Sequence, residues 1–147
     1  TCWFEDCTIL SKKNSYVTAA STPENEEFGY VFNNCRLVHN EEAQKVYLGR
    51  PWRSFAKTVF INCHLGDHIL AEGWHNWNKP YAEKTAFYAE YGSKGPGAAS
   101  EGERVRWSHT LKTKDLKKYT PQNVLQCGSE QDKHGKDVKT EWYFKVF

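Results

Sequence analysis

Short hydrophobic runs, each closed by a polar bend, recur along the first 91 residues. WFEDCTIL (3–10), VFNNCRLV (31–38) and VFINCHLG (59–66) share the pattern F-x-[D/N]-C-x-[I/L], beginning at Phe4, Phe32 and Phe60 with a step of 28 residues both times. A fixed period of this size predicts a solenoid, because each unit must stack on its neighbours to bury its apolar face. A degenerate fourth copy is read at FYAE (87–90), 27 residues after Phe60, with Glu90 in the cysteine position. Each period carries a second strand-like run, at 16–20, 46–50 and 68–71, and is rich in β-branched and aromatic residues without helical periodicity. Two or three short strands per 28 residues, with Asn, Gly and Pro at the bends, predict an all-β parallel β-helix.

Like positions of successive coils stack in such a fold, which places Cys7, Cys35 and Cys63 in one buried ladder, where they act as small hydrophobes. Asp6 occupies the slot of Asn34 and Asn62, so it reads as a polar bend residue. After residue 91 the period fades. GSKGPGAASEGE (92–103) reads as a long loop, RVRWSHTL (104–111) as a returning strand, and TPQNVL (120–125) as a short helix with Thr120 as N-cap and Pro121 in its first position. CGSEQDKHGKD (127–137) reads as a surface excursion, and the apolar run 142–147 as a cover for the end of the stack. The expected organisation is one partial β-helix domain over 1–147, with regular coils over 1–91 and a loop-rich tail over 92–147.

Composition narrows the picture further. The 147 residues hold 20 Lys and Arg against 18 Asp and Glu, interspersed, so no basic stripe suggests nucleic acid. No apolar run of 18 residues suggests a membrane span. The five cysteines, Cys127 included, match no zinc pattern and leave one unpaired in any disulfide scheme. The absence of Met, position 1 included, reads the chain as a processed or truncated piece.

The candidate chemistry lies in VYLGRPWR (46–53). Proline disfavours the α region for the residue before it and cannot donate to a ladder, so Arg50 is held extended where its strand stops. A guanidinium so fixed can grip a carboxylate through two bonds, and Trp52 can offer a flat apolar face to a ligand. Trp74 and Trp77, in GWHNW, read equally as groove wall or core. His64, Asp67 and His68 read as solvated bend residues rather than a metal site, because residues four apart in a strand-and-bend chain do not share a face as they do on a helix. Ser21, Ser108 and His109 define no catalytic triad by adjacency alone.

LGRPWR (48–53), HILAEGWHNW (68–77), TAFYAEYGSKGPGA (85–98) and RVRW (104–107), in this order, resemble the C-terminal half of pectin methylesterases. The resemblance covers about residues 1–110, and YVTAAST (16–22) resembles the bacterial branch. It implies a right-handed parallel β-helix that hydrolyses the methyl esters of homogalacturonan, without metal or cofactor, as a monomer in an extracellular or periplasmic setting. It also implies that Arg50 contacts the nucleophilic aspartate and the substrate carboxyl groups, and that Trp52, Trp74 and Trp77 belong to the substrate cleft. The Asp-Phe-Ile-Phe-Gly motif that holds the family's nucleophile is absent from the 147 residues, as is the Gln-Asp pair a coil earlier. By resemblance the nucleophile motif belongs just before Thr1 and the Gln-Asp pair a coil before that. LGRPW argues against the backbone-cleaving β-helix enzymes. A non-catalytic pectin-binding module is the competing reading.

Overall fold

The computed structural model describes residues 1–100 and 102–125, together with the backbone of the short strands at 130–131 and 137–138. The first coil contains β1 (Cys2–Glu5), β2 (Thr8–Ser11) and β3 (Tyr16–Ala20), and the second β4 (Tyr30–Asn33), β5 (Arg36–His39) and β6 (Tyr47–Pro51). The third contains β7 (Lys57–Ile61) and β8 (His64–Leu65), followed by β9 (Phe87–Tyr91) and β10 (His109–Thr110). Strands pair in parallel with their counterparts in the next coil, giving the sheets β1-β4-β7-β9-β10, β2-β5-β8 and β3-β6. The expected parallel β-solenoid is present, with about three turns.

The repeat motif follows from this register. Phe4 pairs with Phe32 and Phe32 with Phe60. Their rings stack inside the coils at 4.4 and 4.6 Å between centroids, tilted by only 5° and 10°. The spacing is close to that between neighbouring strands, so one ring per coil fills the interior without a gap. The Asp or Asn of the motif turns the chain between the first and second strands. Asp6, Asn34 and Asn62 have φ of 52°, 53° and 53°, a left-handed conformation that Asn and Asp tolerate better than other side-chain-bearing residues. The Asn34 amide also donates to the Asp6 carboxylate, linking one corner to the next. Cys35 and Cys63 are buried and unpaired, as expected, while Cys7 is half-buried. The Cys35 and Cys63 thiols donate both to the carbonyl two residues before and to one in the preceding coil, at 3.4 to 3.5 Å.

The fourth copy differs from its expected alignment. Phe60 pairs with Glu90 and Lys57 with Phe87, while His64 bridges Lys94. Glu90 therefore takes the phenylalanine position, Gly92 the corner and Ser93 the cysteine position. Gly92 continues the left-handed corner with φ of 62°, and a Cβ there would meet Asn62 Oδ1 at 2.5 Å. The acid is tolerated because Arg104 Nε donates to Glu90 Oε1 at 2.6 Å and Ser93 Oγ to Oε2 at 2.7 Å. Arg104 Nη2 donates to Glu90 Oε2 at 3.3 Å and to the Gly97 carbonyl, and Nη1 donates to the carbonyls of Leu70 and Ala71.

Two expected strands shrink. In place of a strand over 68–71 the third face keeps only isolated bridges, Val46 to Ile69 and, beyond that range, Gly49 to Trp74. The bridged residues are three apart on one side and five on the other, so the excess folds out as a turn at Gly73, which has φ of 69° and lies against Arg104. In 104–111 only His109–Thr110 is a strand; Arg104 is committed to Glu90, and Ser108 N–H closes a turn on the Val105 carbonyl.

Leu111, Leu116, Tyr119 and Val124 cover the outer face of the large sheet, against Val31, Val59, Ile61 and Ala89. Its strands are thus apolar on both faces, which is why VFI shows no alternation. Helix α1 (Pro121–Val124) forms as expected: Thr120 Oγ1 accepts from Asn123 N–H and Pro121 opens the helix. The remaining strands, β11 (Glu130–Gln131) and β12 (Asp137–Val138), pair antiparallel within the stretch read as a surface excursion. The end cover expected at 142–147 lies outside the described residues.

Two predictions concern this stack. A Cβ at Gly49 would meet Thr18 Oγ1 at 2.2 Å and the Trp74 ring at 3.2 Å, so Gly49→Ala is expected to cost about 1–3 kcal/mol in urea unfolding. Burial pushes the Cys63 thiol from 9.0 up to about 12, so it should resist disulfide reagents at pH 8 until the protein unfolds. Its folded pKa is raised, so this contribution to stability is complete below pH 9 and is lost as pH climbs towards 12.

Candidate functional site

Arg50 stands one residue from the end of β6, paired in register with Ala19, and β6 stops at Pro51 as the Arg-Pro step dictates. The ladder position is set by packing beneath it. Gly49 passes between Thr18 and Trp74 at a distance no side chain would permit, and Thr18 Oγ1 donates to the Leu48 carbonyl at 2.9 Å. A rigid floor therefore aims the guanidinium.

The Arg50 guanidinium lies among three aromatic rings. Its Cζ is 3.6 Å from the Trp77 ring centroid, 5.2 Å from Tyr16 and 5.4 Å from Trp52. Trp52 and Trp77 stack on each other at 5.4 Å. Its Nε and Nη1 are shielded from solvent without a hydrogen-bond partner, and no carboxylate pairs with it among the described residues. A half-buried charge held by aromatic faces, with two shielded donors left free, is suited to an incoming anion, since those donors already lack water.

Trp52 is 51% exposed and Trp77 36%, whereas Trp74 is 1% exposed. The structure thus separates the GWHNW pair. Trp77 joins Arg50 and Trp52 at the surface, while Trp74 lies in the core, stacked on Tyr88 at 4.4 Å, and offers no face to a ligand. The expectation that Trp74 contacts substrate is corrected accordingly: its bridge to Gly49 draws it inwards, and it supports the site from beneath.

Trp77 and Asn78 both have positive φ, 53° and 56°. Two consecutive left-handed residues without glycine are costly and persist only when their surroundings hold them. Here Trp77 N–H donates to His75 Nδ1 at 3.0 Å, Asn78 N–H to Asn76 Oδ1 at 2.9 Å, and Asn76 Nδ2 to Glu83 Oε1 at 2.6 Å. Sequence reasoning missed this brace. The alternation of Asn76 and Asn78 about a tryptophan was its available signal. It also missed Lys79, whose Nζ donates to the Trp52 carbonyl at 2.7 Å and lies 4.8 Å from the Trp77 ring, and Tyr81, which is 57% exposed. Trp52, Arg53, Lys79 and Tyr81 line an open groove of about 530 Å³.

Tyr88 lies below Trp74 with its hydroxyl unpartnered, and burial raises its pKa against the opposing pull of Arg50. Asp6 is confirmed as a corner residue. His64 is exposed, as expected, but His68 is buried, contrary to its reading as a solvated bend. Its ring stacks on His39 from the previous coil at 4.5 Å. Burial, then the neighbouring His39, lower its pKa below the usual 6.5.

Fold and site together define a parallel β-solenoid whose surface presents an arginine clasped by tryptophans. The Pectinesterase family profile matches residues 1–128, and the chain belongs to that family. It is 36% identical to the probable pectinesterase/pectinesterase inhibitor 64 of Arabidopsis thaliana, over 84% of this chain and 24% of that protein. It is 38% identical to pectinesterase 31 of the same plant, over 76% of this chain and 35% of that protein. Pectin methylesterase from carrot superposes with a TM-score of 0.75 at 28% identity, over 84% of this chain and 43% of its own. PemA from Erwinia chrysanthemi superposes at 0.67 and 27% identity, over 84% and 44%. The chain therefore spans 24% to 35% of these curated relatives and less than half of these solved structures. The two curated relatives are plant proteins, not members of the bacterial branch suggested by YVTAAST.

The two tryptophans make a direct contrast. Trp74→Ala is expected to cost about 3–5 kcal/mol of stability, whereas Trp77→Ala should shift the urea midpoint far less. Comparing the two unfolding curves checks the division between support and surface.

Proposed function

We propose that the protein carrying this chain hydrolyses the methyl esters of homogalacturonan, releasing methanol and free galacturonate carboxylate. The observation that supports this most directly is Arg50, fixed by β6, with two buried donors unpaired and exposed tryptophans beside it. These donors suit a carboxylate, while Trp52 and Trp77 suit the C–H face of a sugar ring. Family membership supports the ester chemistry, and a pectin methylesterase solved in complex with a hexasaccharide resembles this chain at a TM-score of 0.67 and 26% identity, over 84% of this chain and 44% of its own.

In this proposal an aspartate outside the 147 residues attacks the ester carbonyl while a second, acting as general acid, protonates the departing methoxide to methanol. The second carboxylate then takes a proton from the water that cleaves the resulting anhydride, yielding the substrate carboxylate, regenerating the nucleophile and restoring the acid. Arg50 holds the nucleophile and a substrate carboxylate, and Trp52 and Trp77 stack the sugar. Residues 1–147 form part of one domain, with regular coils over 1–91. The enzyme works as a monomer in an extracellular or periplasmic setting, where its polymeric substrate is accessible.

Methanol release from highly methylated pectin by the intact enzyme provides the test. Arg50→Ala should lower kcat by roughly a hundredfold or more, with Arg50→Lys failing to restore it. Near-normal turnover of Arg50→Ala would overturn the assignment. Pectin binding by the intact wild-type protein without methanol release would instead favour a non-catalytic binding module.

A further inference from the structure

The bend after β8 stacks on the end of β5 and brings His39, Asp67 and His68 together. His39 is the last residue of β5, and Asp67 and His68 follow β8 in the next coil. One potential ligand atom from each side chain lies within 4.8 Å of the others. His39 Nε2 and Asp67 Oδ1 are 2.9 Å apart, and the two imidazoles stack. This grouping depends on the register between coils, because the three residues are separated by up to 29 positions in the chain.

The pair formed by His39 and Asp67 accounts for two of the three residues but not for His68. That residue is 1% exposed, and neither of its ring nitrogens has a hydrogen-bond partner. A buried imidazole without partners loses its hydration and gains nothing in return. Gly66 makes room for it: a Cβ there would meet His68 Nδ1 at 2.7 Å. The backbone is therefore shaped to admit a histidine ring that makes no bond within the protein.

We propose that His39, Asp67 and His68 form a zinc-binding clip joining two successive coils. Two imidazoles and one carboxylate are ligands of the type zinc takes, and they disfavour calcium and magnesium, which prefer sets made of oxygen. His39 Nδ1 is 2.8 Å from the Asn40 carbonyl, the outer partner that commonly orients a metal-bound histidine and leaves Nε2 to face the ion. Zinc to nitrogen bonds of about 2.0–2.1 Å place neighbouring ligands roughly 3.4 Å apart. For both imidazole edges to meet one ion, His39 must turn from its stacked position on His68, and the 23% and 73% exposure of the His39 and Asp67 side chains leaves them room to do so. Water fills the fourth position. The clip stands on the sheet β2-β5-β8, whereas Arg50 lies near the end of β6 in the sheet β3-β6, so its role is to fasten coils together.

Zinc chloride titrated into the intact, metal-stripped protein, followed by calorimetry, tests the proposal. One equivalent should bind and raise the melting temperature, whereas calcium should do neither. His39→Gln and Asp67→Asn, at positions that reach solvent, should each weaken zinc binding by about tenfold or more while the apo protein stays folded. His64→Gln, on β8 but outside the cluster, should leave it unchanged. Cobalt(II) should give visible d–d bands that disappear in the first two variants. Absence of saturable zinc binding would overturn the proposal. So would binding that survives both substitutions, or a cobalt spectrum dominated by thiolate charge transfer, which would place the ion on cysteines.

Discussion

Parallel pairing in register between successive coils is the constraint on which everything else depends. Once Phe4, Phe32 and Phe60 are aligned by their strands, their rings must stack, the Asp and Asn corners must superpose, and the thiols must fall into one column. A slip by one residue would turn every apolar side chain of a strand to the opposite face. The interior is therefore defined by repetition, with small and flat groups recurring where the coil spacing leaves a single strand separation to fill.

The informative features lie where repetition ends. Between β7 and β9 the ladder step lengthens from 28 to 30 residues, Glu90 enters the phenylalanine column, and Arg104 is drawn in to neutralise it. The same region supplies the folded-out turn at Gly73 and the braced left-handed pair at Trp77 and Asn78. Extra chain that cannot join a ladder must leave the stack. Here it rises beside the end of β6 and places Trp77 on Arg50. The candidate site is thus a consequence of broken periodicity on a periodic scaffold, which supplies rigidity from below and variation at the rim.

The buried polar groups divide along the same line. Arg104 and Glu90 satisfy one another and the surrounding carbonyls, so they serve as structure. Arg50 and His68 keep unpartnered nitrogens at two separate places. Burying such groups without partners is unfavourable, and that cost is offset when a ligand completes them. Trp74 Nε1 and the Tyr88 hydroxyl are unpartnered too, but they lie in the core, so it is the position of Arg50 at the rim and of His68 beside His39 and Asp67 that lets a ligand reach them.

Much of this was legible in the amino-acid sequence because it is local or strictly repeated. The 28-residue step, the cysteine column, the polar corners, the stop at Arg50-Pro51 and the Thr120 cap each depend on chain periodicity or on the chemistry of adjacent residues. The register of the fourth copy was not legible, since a two-residue insertion leaves FYAE looking like a repeat while the backbone pairs Glu90 with Phe60. Nor was the division of Trp74 and Trp77 between core and surface, which rests on the bridge from Trp74 to Gly49. The meeting of His39 with Asp67 and His68 was decided by coil stacking alone. Sequence patterns report what each residue prefers beside its chain neighbours; only the tertiary structure sets which distant residue stands one strand spacing away.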